Sequence, residues 1–215
     1  MERVKKTIDY LIDMFNNSEY LNNHPEEKRY RLEHTFRVAN IGKVIAEREG
    51  FDLEAMVIAC LLHDISYIYK FKTEEEWKNH GRTSARLIRS FVESLKFPKE
   101  TENDILFGIA IHVDGEADFL GVKTPFAECI SDADNIDRFD VYRIYETLKY
   151  AKYDELPSDK QREFCMNRIS GLVRLLSQTY GTKTSTALFH EKLMFQKQIF
   201  ERLLAQLDNS LETKL

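Results

Sequence analysis

The stretch LEAMVIACLLHDI, residues 53–65, decides the reading of this chain. Asp52 precedes it as a helix cap, and the helix it opens runs from Leu53 to about His63 or Asp64. Residues three, four and seven apart share a helical face, so His63 lines up with Met56, Ala59 and Cys60. An imidazole on that apolar stripe points towards a core. The aspartate beside it needs a partner there, because an unpaired buried carboxylate is costly.

The same spacing test extends outward in both directions. Ile8, Leu11, Ile12 and Phe15 form a first amphipathic stripe. Pro25, followed by Glu26 and Glu27, opens a second helix that reaches Glu49 and stops at Gly50. On it, His34 aligns with Val38, Ile41 and Ile45. Residues 65–79 mix aromatic and charged side chains and read as a loop or short helix. His80 begins a helix over about 80–96, with Ser84, Leu87, Ile88 and Phe91 on its face. Pro98 opens a helix ending near Val113, where His112 aligns with Ile105, Gly108 and Ile109. Asp114-Gly115 marks a turn. Thr124-Pro125 starts the helix in which Asp134 aligns with Ala127, Ile130 and Ser131.

Helical sequence continues through Tyr150. Pro157 starts a long helix that Gly181 is expected to break, and a last helix carries Phe189, Leu193, Phe200, Leu203, Leu204 and Leu207 on one side. No alternating strand, internal repeat or low-complexity linker interrupts this pattern, and the fold class expected is all-α. A single domain over 1–215 is expected, and Tyr153–Pro157 is the only candidate boundary.

Composition agrees. Hydrophobic residues make up 43% of the 215, enough for a core, while 8 Gly and 4 Pro favour long helices over a turn-rich β protein. The net charge of −5 is spread through interleaved acids and bases, and without a basic block nucleic acid is not an expected partner. No apolar run approaches the roughly 20 residues that span a bilayer, so no membrane is expected. Cys60, Cys129 and Cys165 are too far apart for a knuckle or redox pair and read as buried free thiols. The charged start MERVKKTIDY has no signal-peptide core, which makes a cytoplasmic location the expectation.

His34, His63, Asp64, His80, His112 and Asp134 therefore form one inward-facing set on several helices. One such histidine is ordinary core; four with two carboxylates are satisfied jointly by a metal, which binds neutral imidazoles and ionised carboxylates. Asp132-Ala133-Asp134 resembles the start of a calcium loop. Ile136, Asp137 and Arg143 stand where a third oxygen, a glycine and a closing Glu are needed, so that reading fails.

The order His, His-Asp, Asp resembles the HD superfamily of metal-dependent phosphohydrolases. The residues that carry it are LEHTFRV (32–38), ACLLHDI (59–65) and DADNID (132–137), with His80-Gly81 and His112 similar to two extra histidines of many members. The resemblance covers about residues 24–140, and residues 141–210 would pack on that core. The tail FHEKLMFQKQIFERLLAQL is similar to the last helix of small bacterial members of unassigned substrate. The resemblance implies a multi-helix bundle with the metal site between core helices. His34, His63, Asp64 and Asp134 would hold one metal, Asp64 would bridge to a second, and His80 and His112 would hold that one.

Asp132 and Asp137 compete for the place of Asp134, which is preferred because the short Ala-Asp motif is the family's usual form. The cofactor implied is one or two divalent ions per chain, Mn, Fe, Co, Ni, Mg or Zn. The implied reaction is hydrolysis of a phosphate mono- or diester on a small phosphorylated substrate, a nucleotide among the candidates. Arg37 and Arg138, each about one turn from a ligand, are the expected catalytic cations beside Asp64, with Arg82 and Lys70 as further candidates. One departure stands out: no acid follows the His-Asp pair until Glu74, whereas members that cleave nucleotides often carry one sooner. Two rival readings use the same residues. One is a di-iron oxygenase and the other a regulatory module that binds a nucleotide and keeps the metal.

Overall fold

The computed structural model describes residues 1–210, so the last five positions of the expected 1–215 domain lie outside the described residues. The described residues form eleven α-helices and two short 3-10 turns, with no strand among them. They cluster into two compact units. The first is Met1–Asp137 with Tyr180–Ser185; the second is Arg138–Thr179 with the residues from Thr186 onward. The division falls at 137/138 rather than in the stretch Tyr153–Pro157.

In the first unit, α1 (Glu2–Asn16) and α2 (Glu19–Asn22) lead into α3 (Pro25–Glu49), α4 (Leu53–Leu62) and a 3-10 turn (Ile65–Ile68). Then come α5 (Glu74–Lys78), α6 (His80–Ser94), α7 (Lys99–Ile111) and α8 (Pro125–Arg138). The boundaries follow local chemistry. Pro25 sits in the first turn of α3, and Gly50 ends it at φ 73°, a left-handed conformation that glycine adopts without strain. The Asp52 carboxylate accepts from the Ala55 N–H and starts α4.

Helix α4 is the centre of this unit. It packs against α1, α3 and α7. Met56, Ile58, Ala59, Cys60, Leu61 and Leu62 are essentially excluded from solvent. Burial of each large aliphatic among them contributes about 1.5–3 kcal/mol. Because neighbours surround it, α4 fixes the position of whatever leaves its C-terminal end, and that is His63-Asp64.

Helix α6 lies along α7, and the two backbones come close at Gly81. A Cβ there would come within 2.8 Å of the Ile109 and Ala110 carbonyl oxygens. The 3-10 turn is tied to α6 by hydroxyls: Ser66 Oγ donates to the His80 carbonyl at 3.0 Å, and Ser84 Oγ donates to Ser66 Oγ at 3.0 Å.

In the second unit, α9 (Val141–Tyr150) is followed by a 3-10 turn (Tyr153–Glu155), α10 (Ser158–Leu176) and α11 (Lys183–Asn209). Phe139 meets Phe189 edge-on with ring centroids 5.1 Å apart, and Phe164 meets Phe200 at 6.0 Å. The Gln196 amide donates to the Phe139 carbonyl at 2.7 Å. Helix α10 ends at Leu176, before Gly181. Gly181 instead serves a close approach in the first unit, where its N–H donates to Asp132 Oδ2 at 2.9 Å. No described helix is long and apolar enough to cross a membrane.

Candidate metal centre

Five elements of the first unit deliver the six residues to one place. His34 lies on α3, His63 and Asp64 follow α4, His80 starts α6, His112 caps α7 and Asp134 is on α8. All six are buried, with 6% or less of each exposed. Their donor atoms form three overlapping groups within 4.8 Å: His34, His63 and Asp64; His63, His112 and Asp134; Asp64, His80 and His112.

Asp64 stands between the two ends of the cluster. Its Oδ2 lies 3.7 Å from both His34 Nε2 and His63 Nε2. Its Oδ1 lies 3.2 Å from His80 Nε2 and 3.5 Å from His112 Nε2. Asp134 Oδ1 closes the first end, 3.1 Å from His34 Nε2 and 4.0 Å from His63 Nε2.

The rings are held from behind. The Nδ1 atoms of His63 and His112 reach the Cys60 and Ile109 carbonyls at 2.7 Å, and that of His80 reaches the Trp77 carbonyl at 2.5 Å. Each carbonyl is three residues upstream. A carbonyl can only accept, so Nδ1 carries the proton and Nε2 presents a lone pair to the cluster. His34 Nδ1 reaches Asp137 Oδ2 at 2.7 Å.

A set of lone pairs and carboxylates facing one another calls for a cation. His63 Nε2 is buried without a hydrogen-bond partner, and His80 Nε2 and His112 Nε2 face each other at 3.1 Å. These donors fit a divalent first-row metal, and three rings with a carbonyl and one with a carboxylate behind them match the usual support of metal-binding histidines.

The electrostatics of the metal-free cluster carry the same message. Burial resists charge on His34, but hydrogen bonds to Asp134 and Asp137 and the nearby Asp64 charge lift it to about 9. Burial pushes His63 down to about 4, against the pull of Asp64. Burial also opposes ionisation of Asp64 and Asp134. His63, His112, His80 and Arg31 around it nevertheless hold Asp64 well below the usual carboxylate range. His34 and His63 hold Asp134 at about 2. The carboxylates stay ionised, with His34 as an imidazolium beside them.

The expected cations lie differently. Arg37 grips Asp137 with two hydrogen bonds, Nε to Oδ1 at 2.7 Å and Nη2 to Oδ2 at 3.1 Å. Arg138 is exposed at the last position of α8. Arg82 is engaged by both oxygens of Asp114 at 2.8 Å and by Asn79 at 2.6 Å. Lys70 is exposed and lines a cavity of about 740 Å³ with Arg82 and Arg86. Asp137 stands behind His34, and Asp132 holds the turn at Gly181, where burial pushes its carboxyl up to about 6.

The cation that does reach the cluster is Arg31. It is mostly buried, its Nη1 lies 3.3 Å from Asp64 Oδ2, and its guanidinium covers the Tyr67 ring at 3.3 Å. Sequence reasoning passed over it, although its position three residues before His34 puts both on one face of α3.

Comparison with known proteins gives the family. The HD domain family model matches residues 31–138, half of the chain. No curated protein sequence matches it. Among solved structures, a predicted HD superfamily hydrolase from an uncultured Thermotogales bacterium is similar, with a TM-score of 0.61 and 19% identity. The alignment covers 94% of this chain and 91% of the other, and at that identity the likeness is one of fold. The residues brought together between α3, α4, α6, α7 and α8 lie within the matched span, and the chain belongs to the HD domain family.

Proposed function

We propose that this chain is a metal-dependent hydrolase that cleaves a phosphate ester of a small substrate. The observation that carries the reading is the division of Asp64, one oxygen towards His34 and His63 and the other towards His80 and His112. That arrangement suits two ions sharing one carboxylate, with His34, His63 and Asp134 on one and His80 and His112 on the other. Divalent ions held there would supply Lewis acidity and would acidify water towards neutrality.

The chain's own residues do the rest. The Nε2 lone pairs and the ionised carboxylates of Asp64 and Asp134 hold the positive charge in place. Asp137 and Arg37 hold the His34 ring at its other nitrogen. Arg31, over the Tyr67 ring and beside Asp64, offers a guanidinium whose fork matches phosphate oxygens. Belonging to the HD domain family supports a hydrolase as the reaction class.

The test is elemental analysis followed by a panel of phosphomonoesters and phosphodiesters with each of Mn, Fe, Co, Ni, Mg and Zn. Bound metal with turnover of at least one ester is expected, and His63→Ala should lose both. Turnover that persists at full rate in His63→Ala would sink the proposal. The same N/O donors also suit a di-iron centre, so bound iron with oxygen consumption and no hydrolysis would move the assignment to oxidation.

A further inference from the structure

The second unit holds a groove of about 540 Å³ between α9 and α10, a volume in the range of small-molecule sites. Two features set it apart from ordinary surface. The first is charge. Arg143, Lys149 and Arg168 line it against one carboxylate, Glu146, in a chain whose net charge is −5. Glu146 lies 3.5 Å from Arg143, so it is committed.

Among the described residues Arg168 has no carboxylate partner. There its Nη2 meets only the neutral Gln196 amide oxygen at 3.4 Å, and its Nε is buried with no hydrogen-bond partner. Burial, and after it the charge of Arg143, holds Arg168 below the ordinary arginine value. A half-buried guanidinium left in that state is costly unless an anion joins it.

The second feature is the tyrosine surface. Tyr142, Tyr145 and Tyr150 line the same groove and are 52%, 58% and 94% exposed. Flat rings held open to solvent are platforms on which a base can stack, and guanidinium forks match phosphate oxygens.

We propose that this groove is a nucleotide-binding site, with the phosphate on Arg168 and Arg143 and the base on the tyrosines of α9. A volume of about 540 Å³ suits a small molecule, and the cation without a carboxylate partner and the aromatic wall ask for the two halves of one. This site shares no residue with the metal cluster and does not depend on the proposed hydrolysis.

Calorimetric titration of the full chain, kept metal-free by chelator, with the four ribonucleoside monophosphates tests this. At least one should bind saturably, and inorganic phosphate and the matching nucleoside should each bind at least about tenfold more weakly. Arg168→Gln and the surface change Tyr145→Ala should each weaken binding by about tenfold or more, while His63→Ala leaves it unchanged. No saturable binding by any of the four overturns the proposal. So does binding that is lost in His63→Ala but kept in Arg168→Gln, which would place the ligand at the metal cluster. A dimer that dissociates on Tyr145→Ala without binding nucleotide would give the groove to a second copy and overturn it too.

Discussion

Asp137 Oδ2 sits 2.7 Å behind His34 Nδ1, on the far side of the ring from the metal cluster. The carboxylate fixes which nitrogen keeps the proton and makes the other a stronger donor. Asp137→Asn keeps the shape but removes the charge. Metal affinity should fall by about 10–100-fold with little loss of fold, as seen when such supporting carboxylates are removed elsewhere. Competition against a chromogenic chelator measures it; unchanged affinity would return Asp137 to a purely structural role.

Arg31 is predicted to matter through its shape as well as its charge. Lysine keeps the charge but cannot lie flat on Tyr67 and reach Asp64 together. Arg31→Lys and Arg31→Ala should both lower kcat/KM on the responsive phosphate ester by at least about tenfold, with metal content nearly intact. A lysine variant of full activity would show that Arg31 acts as a simple counter-charge to Asp64.

Metal uptake should release protons. In the metal-free chain His34 keeps its proton up to about pH 9, while a metal needs the neutral ring. Titration at about pH 8 in buffers of different ionisation heat should therefore show proton release, and affinity should climb with pH.

The linked stability has a definite sign. The folded value of His34 lies above its unfolded value of about 6.5, so its contribution is complete below about pH 6.5 and is lost as pH rises through about 9. His63 runs the other way. Its folded value of about 4 makes its contribution present above about 6.5 and lost as pH falls towards 4. Melting of chelated protein across this range should show both slopes, and bound metal should flatten the upper one.

Gly81→Ala should damage the site without replacing a donor. The new methyl would fall 2.8 Å from two backbone oxygens of α7 and 2.9 Å from His112 Nδ1. Overpacking of this kind costs about 1–3 kcal/mol. Denaturant melts should show that loss, and the spread of α6 from α7 should weaken metal held at the His80–His112 end more than at the His34–His63 end. Equal weakening of both would argue against two separable ends.

Helix ends written in caps and breakers were legible from the sequence: Pro25, Gly50 and Asp52 bound α3 and α4, and His80 opens α6 as expected. The inward set of six was legible too, because helical spacing reports which face a residue occupies. What spacing cannot report is which atom of a side chain faces which neighbour. Asp132, Asp134 and Asp137 are all buried and close along one helix, yet one holds a distant turn, one enters the cluster and one backs a histidine. Gly181 misled for a related reason. A glycine tolerates both a helix break and a close backbone approach, and only the contact with Asp132 distinguishes them. Helix α2 and the turn at 65–68 are too short to show a period at all.

Three of the cluster's rings hydrogen-bond the carbonyl three residues before their own position. Each is thus aimed by the short piece of backbone that carries it, and its side-chain entropy is lost during folding rather than when an ion arrives. The empty and loaded forms should therefore share ring orientations, and the chain should exchange one divalent ion for another without rebuilding the walls around it.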